Sequence, residues 1–214
     1  MNILIATPLW PPELGGPANY AKNLAREFRK TGHSVEVVSF VKKISRTYSE
    51  DSKFVSFVSL KFPTGLRHFL LFGKLLSKLH RADILLALDQ FSVGLPAAVA
   101  CLLLRKPLIL RVEGDFLWES FVARTRKDIT LPEFYKKTPP LILKEHFIKK
   151  VTDWVLRRAD YLVFSSEWRR TMVLKSFNIS LGKTVIIQNV WPSVSNQLPV
   201  IPRSPQVTGN PAEG

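Results

Sequence analysis

Two short stretches of the sequence hold residue types whose spacing suits work on an anionic or hydroxyl-bearing ligand. Gly15-Gly16 stands ahead of a helical pattern, where backbone N–H groups with no Cβ in the way can approach a phosphate, aided by the helix dipole. Its spacing matches neither Gly-x-Gly-x-x-Gly nor Gly-x-x-x-x-Gly-Lys-Ser/Thr, and the plainer reading of the pair is a tight turn. Glu113-Gly114-Asp115 puts two carboxylates within three residues at a strand end. One can face a substrate hydroxyl while the other meets a base or a backbone N–H, or Asp115 simply caps the segment that follows. Arg111, two residues earlier, either pairs with one of these acids or points outward.

Other chemistries find less support. Ser165-Ser166 has no Gly-x-Ser-x-Gly elbow around it, so hydrolysis by a serine nucleophile is unsupported. His33 follows a helix stop and reads as a turn residue, while His68, His80 and His146 lack metal-ligand spacing, so no metal site is expected. The single cysteine, Cys101, lies in Ala-Val-Ala-Cys-Leu-Leu-Leu and reads as a buried small hydrophobe. Trp168 beside Arg169-Arg170, and Arg124, Arg126 and Lys127 near Trp118, come without a recognised nucleic-acid module. A generic basic surface is the reading for them. Lysine and arginine total 31 against 17 acids, a net +14. The excess divides as +6 over residues 1–100 and +8 over 101–214, so it forms no basic tail. Such a potential draws membrane faces, nucleotides and nucleic acids alike.

These residues need a frame. A chain of 214 residues, 46% hydrophobic and 22% charged, suits one domain with a sizeable core and no need of disulfides. Seven short apolar segments predict strands at 2–6, 35–40, 54–58, 84–88, 108–112, 161–165 and 185–188. Several are continuously apolar, as strands covered on both faces are. Helical patterns between them predict a parallel sheet with helices on both sides. The first helix is the best marked: Pro17 suits its first turn, Tyr20, Leu24, Ala25 and Phe28 repeat at helical spacing, and Gly32 ends it. Later helices are expected at about 66–80, 92–104, 141–159 and 167–177. In the fourth, Phe147, Val151, Trp154, Val155 and Leu156 are expected to face the core and the lysines and arginines to face solvent. Residues 113–140 read as an irregular excursion ending at Pro139-Pro140. Ile84–Leu104 carries one charge, Asp89, and is long enough for a membrane span. Asp89-Gln90, Gly94 and Pro96 favour a strand followed by a helix instead. The N-terminus has no basic n-region or signal-peptide apolar run. After Trp191 five of the fifteen prolines fall within residues 192–214, which reads as a flexible tail or linker.

A doubly wound sheet takes its ligand outside the carboxyl ends of its strands, near the switch in strand order. That rule selects Thr7 to Pro17, Phe40 to Arg46, Asp89-Gln90, Glu113 to Glu119, Ser165-Ser166 and Asn189.

The run from Ile3 to Ala18, with Pro11-Pro12-Glu13-Leu14-Gly15-Gly16 at its centre, followed by Leu24-Ala25 and Gly32-His33-Ser34-Val35-Glu36-Val37, resembles the opening of the family 4 retaining glycosyltransferases. It continues more weakly through 84–119, 159–166 and Val185 to Asn189, where the family's Pro-Asn-Gly turn has Gln188 and Val190 around the asparagine. The resemblance implies an α/β, Rossmann-like, doubly wound and mainly parallel sheet over residues 1–191, the N-terminal, acceptor-side half of a two-domain GT-B fold. Residues 192–214 become a proline-rich tail or truncated interdomain linker. Family members carry the donor-binding second domain, with its paired glutamates seven residues apart, after this point. The chain is therefore expected to be incomplete alone and to work with that missing C-terminal domain or a separate polypeptide carrying it.

The implied reaction is transfer of a hexosyl group from a nucleotide-sugar diphosphate to a carbohydrate or lipid-linked acceptor, with retention, in cell-envelope polysaccharide biosynthesis. It implies no cofactor beyond the donor and no metal, and nucleic acid is not an expected partner. The expected location is cytoplasmic, with peripheral contact at the inner membrane face. By resemblance Gly15 and Gly16 approach the donor diphosphate. Asp115 or Glu113 orients the acceptor hydroxyl, at a loop where many members have a histidine. Trp10, Trp118, Glu119, Ser166 and Asn189 line the acceptor-side cleft. A reading from another class is a noncatalytic binding or scaffold domain for anionic membrane or nucleic acid. Leu66, Phe69, Leu70 and Phe72 beside Arg67, Lys74 and Lys78 are its best local feature, although core packing is the plainer account of that helix.

Overall fold

In the computed structural model, which describes residues 1–13, 15–42, 53–137 and 139–189, the apolar run Asn2–Thr7 forms the central strand β1. It is buried on both faces from Ile3 onward, as its unbroken hydrophobicity requires. The other strands are β2 (Ser34–Val41), β3 (Val55–Ser59), β4 (Ile84–Ala87), β5 (Leu108–Arg111), β6 (Tyr161–Phe164) and β7 (Thr184–Ile186). All seven predicted strands are present. They pair parallel throughout in the order β3-β2-β1-β4-β5-β6-β7. Chain order reverses between β1 and β4, whose register runs from Ile3 opposite Ile84 to Ala6 opposite Ala87.

Helices cover both faces. On one, α1 (Gly16–Lys30) lays Ala21 and Ala25 against Ile3, Ile5, Val35 and Val37. Those two small residues let the helix sit close to the sheet. Tyr20, Leu24 and Phe28 pack against the same cluster. Gly32, at φ 84, turns the chain out of the helix, a conformation that favours glycine. On the opposite face α2 (Thr64–Leu79), α3 (Gly94–Leu104), α6 (Leu143–Arg158) and α7 (Glu167–Phe177) build the larger core around Leu4, Leu85, Leu110 and Phe164. Ile84–Leu104 is thus β4 followed by α3, as read. Among the described residues no helix is long and apolar enough to cross a membrane. Cys101 is buried in α3, and burial pushes its thiol up to about 12. The proposed tail and Trp191 lie outside the described residues.

Two expectations need correction. The excursion at 113–140 is ordered into two helices, α4 (Phe116–Thr125) and α5 (Leu131–Lys137). With α6 they enclose a satellite core of Leu117, Phe121, Phe134 and Ile148. Both are short, so this small cluster stabilises them more than their own local propensity does. Second, the buried face of α6 is Glu145, Ile148, Thr152, Val155 and Leu156. Phe147 and Trp154, expected in the core, are exposed. Apolar residues stand on both sides of this helix, and its spacing alone does not choose between them.

Glu145 is fully buried because Arg124 meets it: Nε donates to Oε1 at 2.8 Å and Nη2 to Oε2 at 2.9 Å. Oε2 also accepts the Ile142 N–H at 3.0 Å at the start of α6. The Arg124 hydrogen bonds hold the Glu145 carboxyl below its ordinary 4.5, against the opposing effect of burial. A depressed folded-state pKa stabilises the fold above the ordinary value, and that contribution is lost as pH falls through the folded one. Urea unfolding followed from neutral pH downward is therefore expected to show stability falling below about pH 4.5. Glu145→Gln should make that slope shallower, and an unchanged slope would remove Glu145 as its source.

Candidate functional site

The carboxyl edge of the sheet gathers the polar residues around the β1/β4 switch. The chain leaving β1 is held by Thr7, whose hydroxyl donates to the Leu9 carbonyl at 2.9 Å, and by a turn in which the Glu13 N–H donates to the Trp10 carbonyl at 3.1 Å. Glu13 in turn accepts the Lys42 N–H at 3.1 Å, tying this loop to the end of β2. The loop closes at Gly15, whose φ of +153 suits glycine alone and whose absent Cβ would lie 3.3 Å from Leu9 Cδ1. Gly16 then opens α1. A Cβ there would meet nothing within 4 Å, so the helix start faces open space. The first glycine thus serves the turn, and among the described residues nothing covers the helix N-terminus that the second opens.

Beside it, Arg111 ends β5 with its side chain buried. Nη1 donates to the Tyr20 hydroxyl at 2.8 Å and Nη2 to Asn189 Oδ1 at 2.6 Å. The guanidinium carbon lies 4.0 Å from the Tyr20 ring centroid. Nη2 is also 2.7 Å from Glu113 Oε1. That oxygen has no aligned hydrogen-bond donor, and the contact is one of charge. Glu113 Oε2 accepts the Ser165 hydroxyl at 2.8 Å. Burial holds the Tyr20 hydroxyl above its ordinary value, with Arg111 pulling the other way. One guanidinium therefore joins α1, β5 and Asn189 after β7, and Glu113 extends the link to Ser165 after β6. The Glu113 side chain is 34% exposed against 5% for Asp115, but its Oε1 is buried against Arg111, so Oε2, which holds Ser165, is the oxygen left for a ligand.

Asp115 has a different setting. It is buried and caps α4, Oδ1 accepting the Trp118 N–H at 3.0 Å and Oδ2 the Tyr135 hydroxyl at 2.8 Å. Arg169 Nη2 stands 3.9 Å from Oδ2. Burial raises its carboxyl pKa against these donors, and burial likewise raises that of Tyr135. The Gly114 carbonyl accepts from Gln90 Nε2 at 2.6 Å and from Arg169 Nη2. Side chains from the β4 loop and α7 thus pin the loop that presents Glu113.

The remaining expected residues divide. Asn189 joins the Arg111 cluster. Glu119 is exposed and accepts the Asp115 N–H at 3.4 Å. Ser166 caps α7, accepting the Arg169 N–H at 3.2 Å. Trp118 packs into the satellite core and its indole N–H donates to the Ile129 carbonyl at 2.9 Å. Trp10 corrects the expectation of a cleft wall: it is fully buried on the α1 face, edge-on to Phe54 at 6.1 Å. Gln90 lies in a segment that the strand-end rule selected, while Tyr20 and Tyr135 were not singled out as site residues, nor was Arg169 as an internal one. For Arg111 the sequence left pairing with an acid and pointing outward both open, and the structure shows it buried and paired. Its other partners lie 78 and 91 positions away and leave no local trace. Among the described residues no group of three or more His, Cys, Asp or Glu is placed to hold a metal ion.

A model of Glycosyltransferase Family 4 matches residues 14–190. Among solved structures, Anabaena HepE in complex with UDP is similar at a TM-score of 0.60 and 18% identity, over 89% of this chain and 44% of that one. The UDP-GlcNAc 2-epimerase of Methanocaldococcus jannaschii is similar at 0.53 and 14%, over 87% and 45%. That of Neisseria meningitidis bound to UDP-GlcNAc is similar at 0.54 and 12%, over 87% and 46%. At these identities the likeness is one of fold, and the chain spans less than half the length of each structure. No curated protein sequence matches it.

Proposed function

The chain belongs to Glycosyltransferase Family 4, and from that premise we propose that it supplies the acceptor-side half of a retaining enzyme that transfers a hexosyl group from a nucleotide-sugar to a carbohydrate or lipid-linked acceptor. The observation that carries the reading is the Arg111 cluster at the carboxyl edge of a Rossmann-like sheet, next to an uncovered helix start. The bound UDP and UDP-GlcNAc of similar structures support a nucleotide-sugar donor.

In this reading the Gly16 backbone and the α1 dipole meet the donor diphosphate. Glu113, held in place by Arg111 and Ser165, accepts a hydrogen bond from the acceptor hydroxyl and orients it. The acceptor oxygen bonds to the anomeric carbon as the bond to the diphosphate breaks on the same face, and the hydroxyl proton passes to the leaving phosphate oxygen. The protein's part is to place charge where it develops. Asp115 is a positioning residue, since it shapes the loop that presents Glu113.

Transfer is expected when the chain is combined with a polypeptide carrying the donor-side domain and offered a panel of nucleotide-sugars with carbohydrate and lipid-linked acceptors. The 214 residues alone should turn over negligibly. Robust transfer by the chain alone would overturn the need for a second domain. Failure of the pair with every donor would overturn the reading itself.

A further inference from the structure

The helix layer opposite α1 presents large apolar side chains to solvent in two strips. On α6, Leu143 is 89% exposed, Phe147 58% and Trp154 39%. Spaced by four and seven residues, they lie along one line, directly away from the buried face of the helix. At the start of α2, Leu66 is 45% and Phe69 69% exposed. α2 follows the carboxyl end of β3, and α6 ends at Arg158, just before the parallel strand β6 starts at Tyr161, so the first turns of both helices lie toward the carboxyl edge. Between them lies α3, which packs against both.

The surroundings of the strips are basic. Lys61 and Lys74 flank the α2 strip, and Lys144, Lys149 and Lys150 flank that of α6. Among the described residues Lys61, Lys74, Lys149 and Lys150 form no ion pair. The acids of α6 are already engaged, Glu145 by Arg124 and Asp153 by Arg157. We propose that the exposed strips of α2 and α6 form a docking surface for an anionic lipid bilayer, with Leu143, Phe147 and Phe69 entering the headgroup boundary and the lysines meeting lipid phosphates. Exposed Leu, Phe and Trp ringed by lysine is the composition that holds a helix in a bilayer interface.

Charge decides against the simplest alternative. Two copies meeting through this face would bring together chains of net +14 with their lysines opposed. Nucleic acid would use the lysines and leave the aliphatic crest without a role. The inference does not rest on the transfer reading, because its test measures partitioning and no turnover.

The full chain is floated with vesicles of phosphatidylcholine alone and with vesicles in which one lipid in three is phosphatidylglycerol, at low and high salt. Binding is expected on the anionic vesicles and should weaken with salt. The double variant Phe69→Ser/Phe147→Ser should lower binding by about tenfold or more. Leu102→Ser/Leu103→Ser, altering exposed leucines at the far end of α3, should bind as the parent does. If the first double variant loses its native circular dichroism, Leu143→Ser alone carries the test, since that side chain contacts almost nothing. Absence of binding to anionic vesicles at low salt would overturn the proposal. So would binding that Leu143→Ser and Phe69→Ser/Phe147→Ser leave unchanged, because salt-sensitive attraction without apolar insertion is what duplex DNA would show equally.

Discussion

Replacing Arg111 by alanine is expected to cost about 2–3 kcal/mol of folding stability, near the lower end for breaking a buried ion pair, because the Glu113 side chain is only partly covered. The guanidinium serves Tyr20, Asn189 and Glu113 together. Its removal leaves a half-buried tyrosine hydroxyl without its donor and frees the carboxylate to turn toward solvent. Arg111→Lys keeps the charge but presents no planar fork, and should recover less than half of the loss. Urea denaturation followed by tryptophan fluorescence measures both. A double-mutant cycle with Tyr20→Phe should then show non-additivity, since the two side chains share one bond. If Arg111→Ala unfolds at the parental urea concentration, the cluster does not hold α1 to β5.

The two glycines at the start of α1 are expected to separate a folding role from a ligand role. Gly15→Ala places a Cβ at a φ of +153, 3.3 Å from Leu9, and should cost about 1–3 kcal/mol of stability. At Gly16 a Cβ enters open space, and alanine is the better helix former by as much as about 1 kcal/mol. The Gly16→Ala chain should therefore melt at or slightly above the parental temperature. Combined with the donor-side domain, the same variant should lose transfer on the order of 100-fold, the scale of losing one backbone donor to a developing anion. Parental turnover by Gly16→Ala would mean that no phosphate approaches this helix start. Lost turnover together with lost folding would return both glycines to the role of a turn.

Much of this architecture was legible without coordinates. Asn2–Thr7, Leu108–Arg111 and Tyr161–Phe164 are short apolar runs bounded by polar or turn residues, and such runs form strands covered on both faces. Gly15, Gly16, Pro17 and Gly32 mark both ends of α1 by backbone geometry that no distant contact needs to supply. The candidate carboxylates were also visible, because the end of a parallel strand is where a doubly wound sheet keeps its polar residues. Their division of labour was not. Asp115 and Glu113 are two residues apart, and only the packing of α4, α5 and α7 buries the first under Tyr135 and Arg169 while leaving the second at the surface.

Residue spacing determined what neighbours within a few positions decide: strand runs, helix ends and the turn at Gly15. Tertiary structure alone determined which side of an ambiguous element would be covered and which distant side chains would meet. In α6 the apolar residues stand on two opposite faces, so Phe147 and Trp154 were as eligible for the core as Ile148 and Leu156. The position of α3 and α4 beside it made the choice. In the sequence Arg111 was equally open to pairing and to exposure. It finds Tyr20 and Asn189 because parallel strand order brings the starts and ends of remote segments to one edge, a distance in space that no local periodicity records.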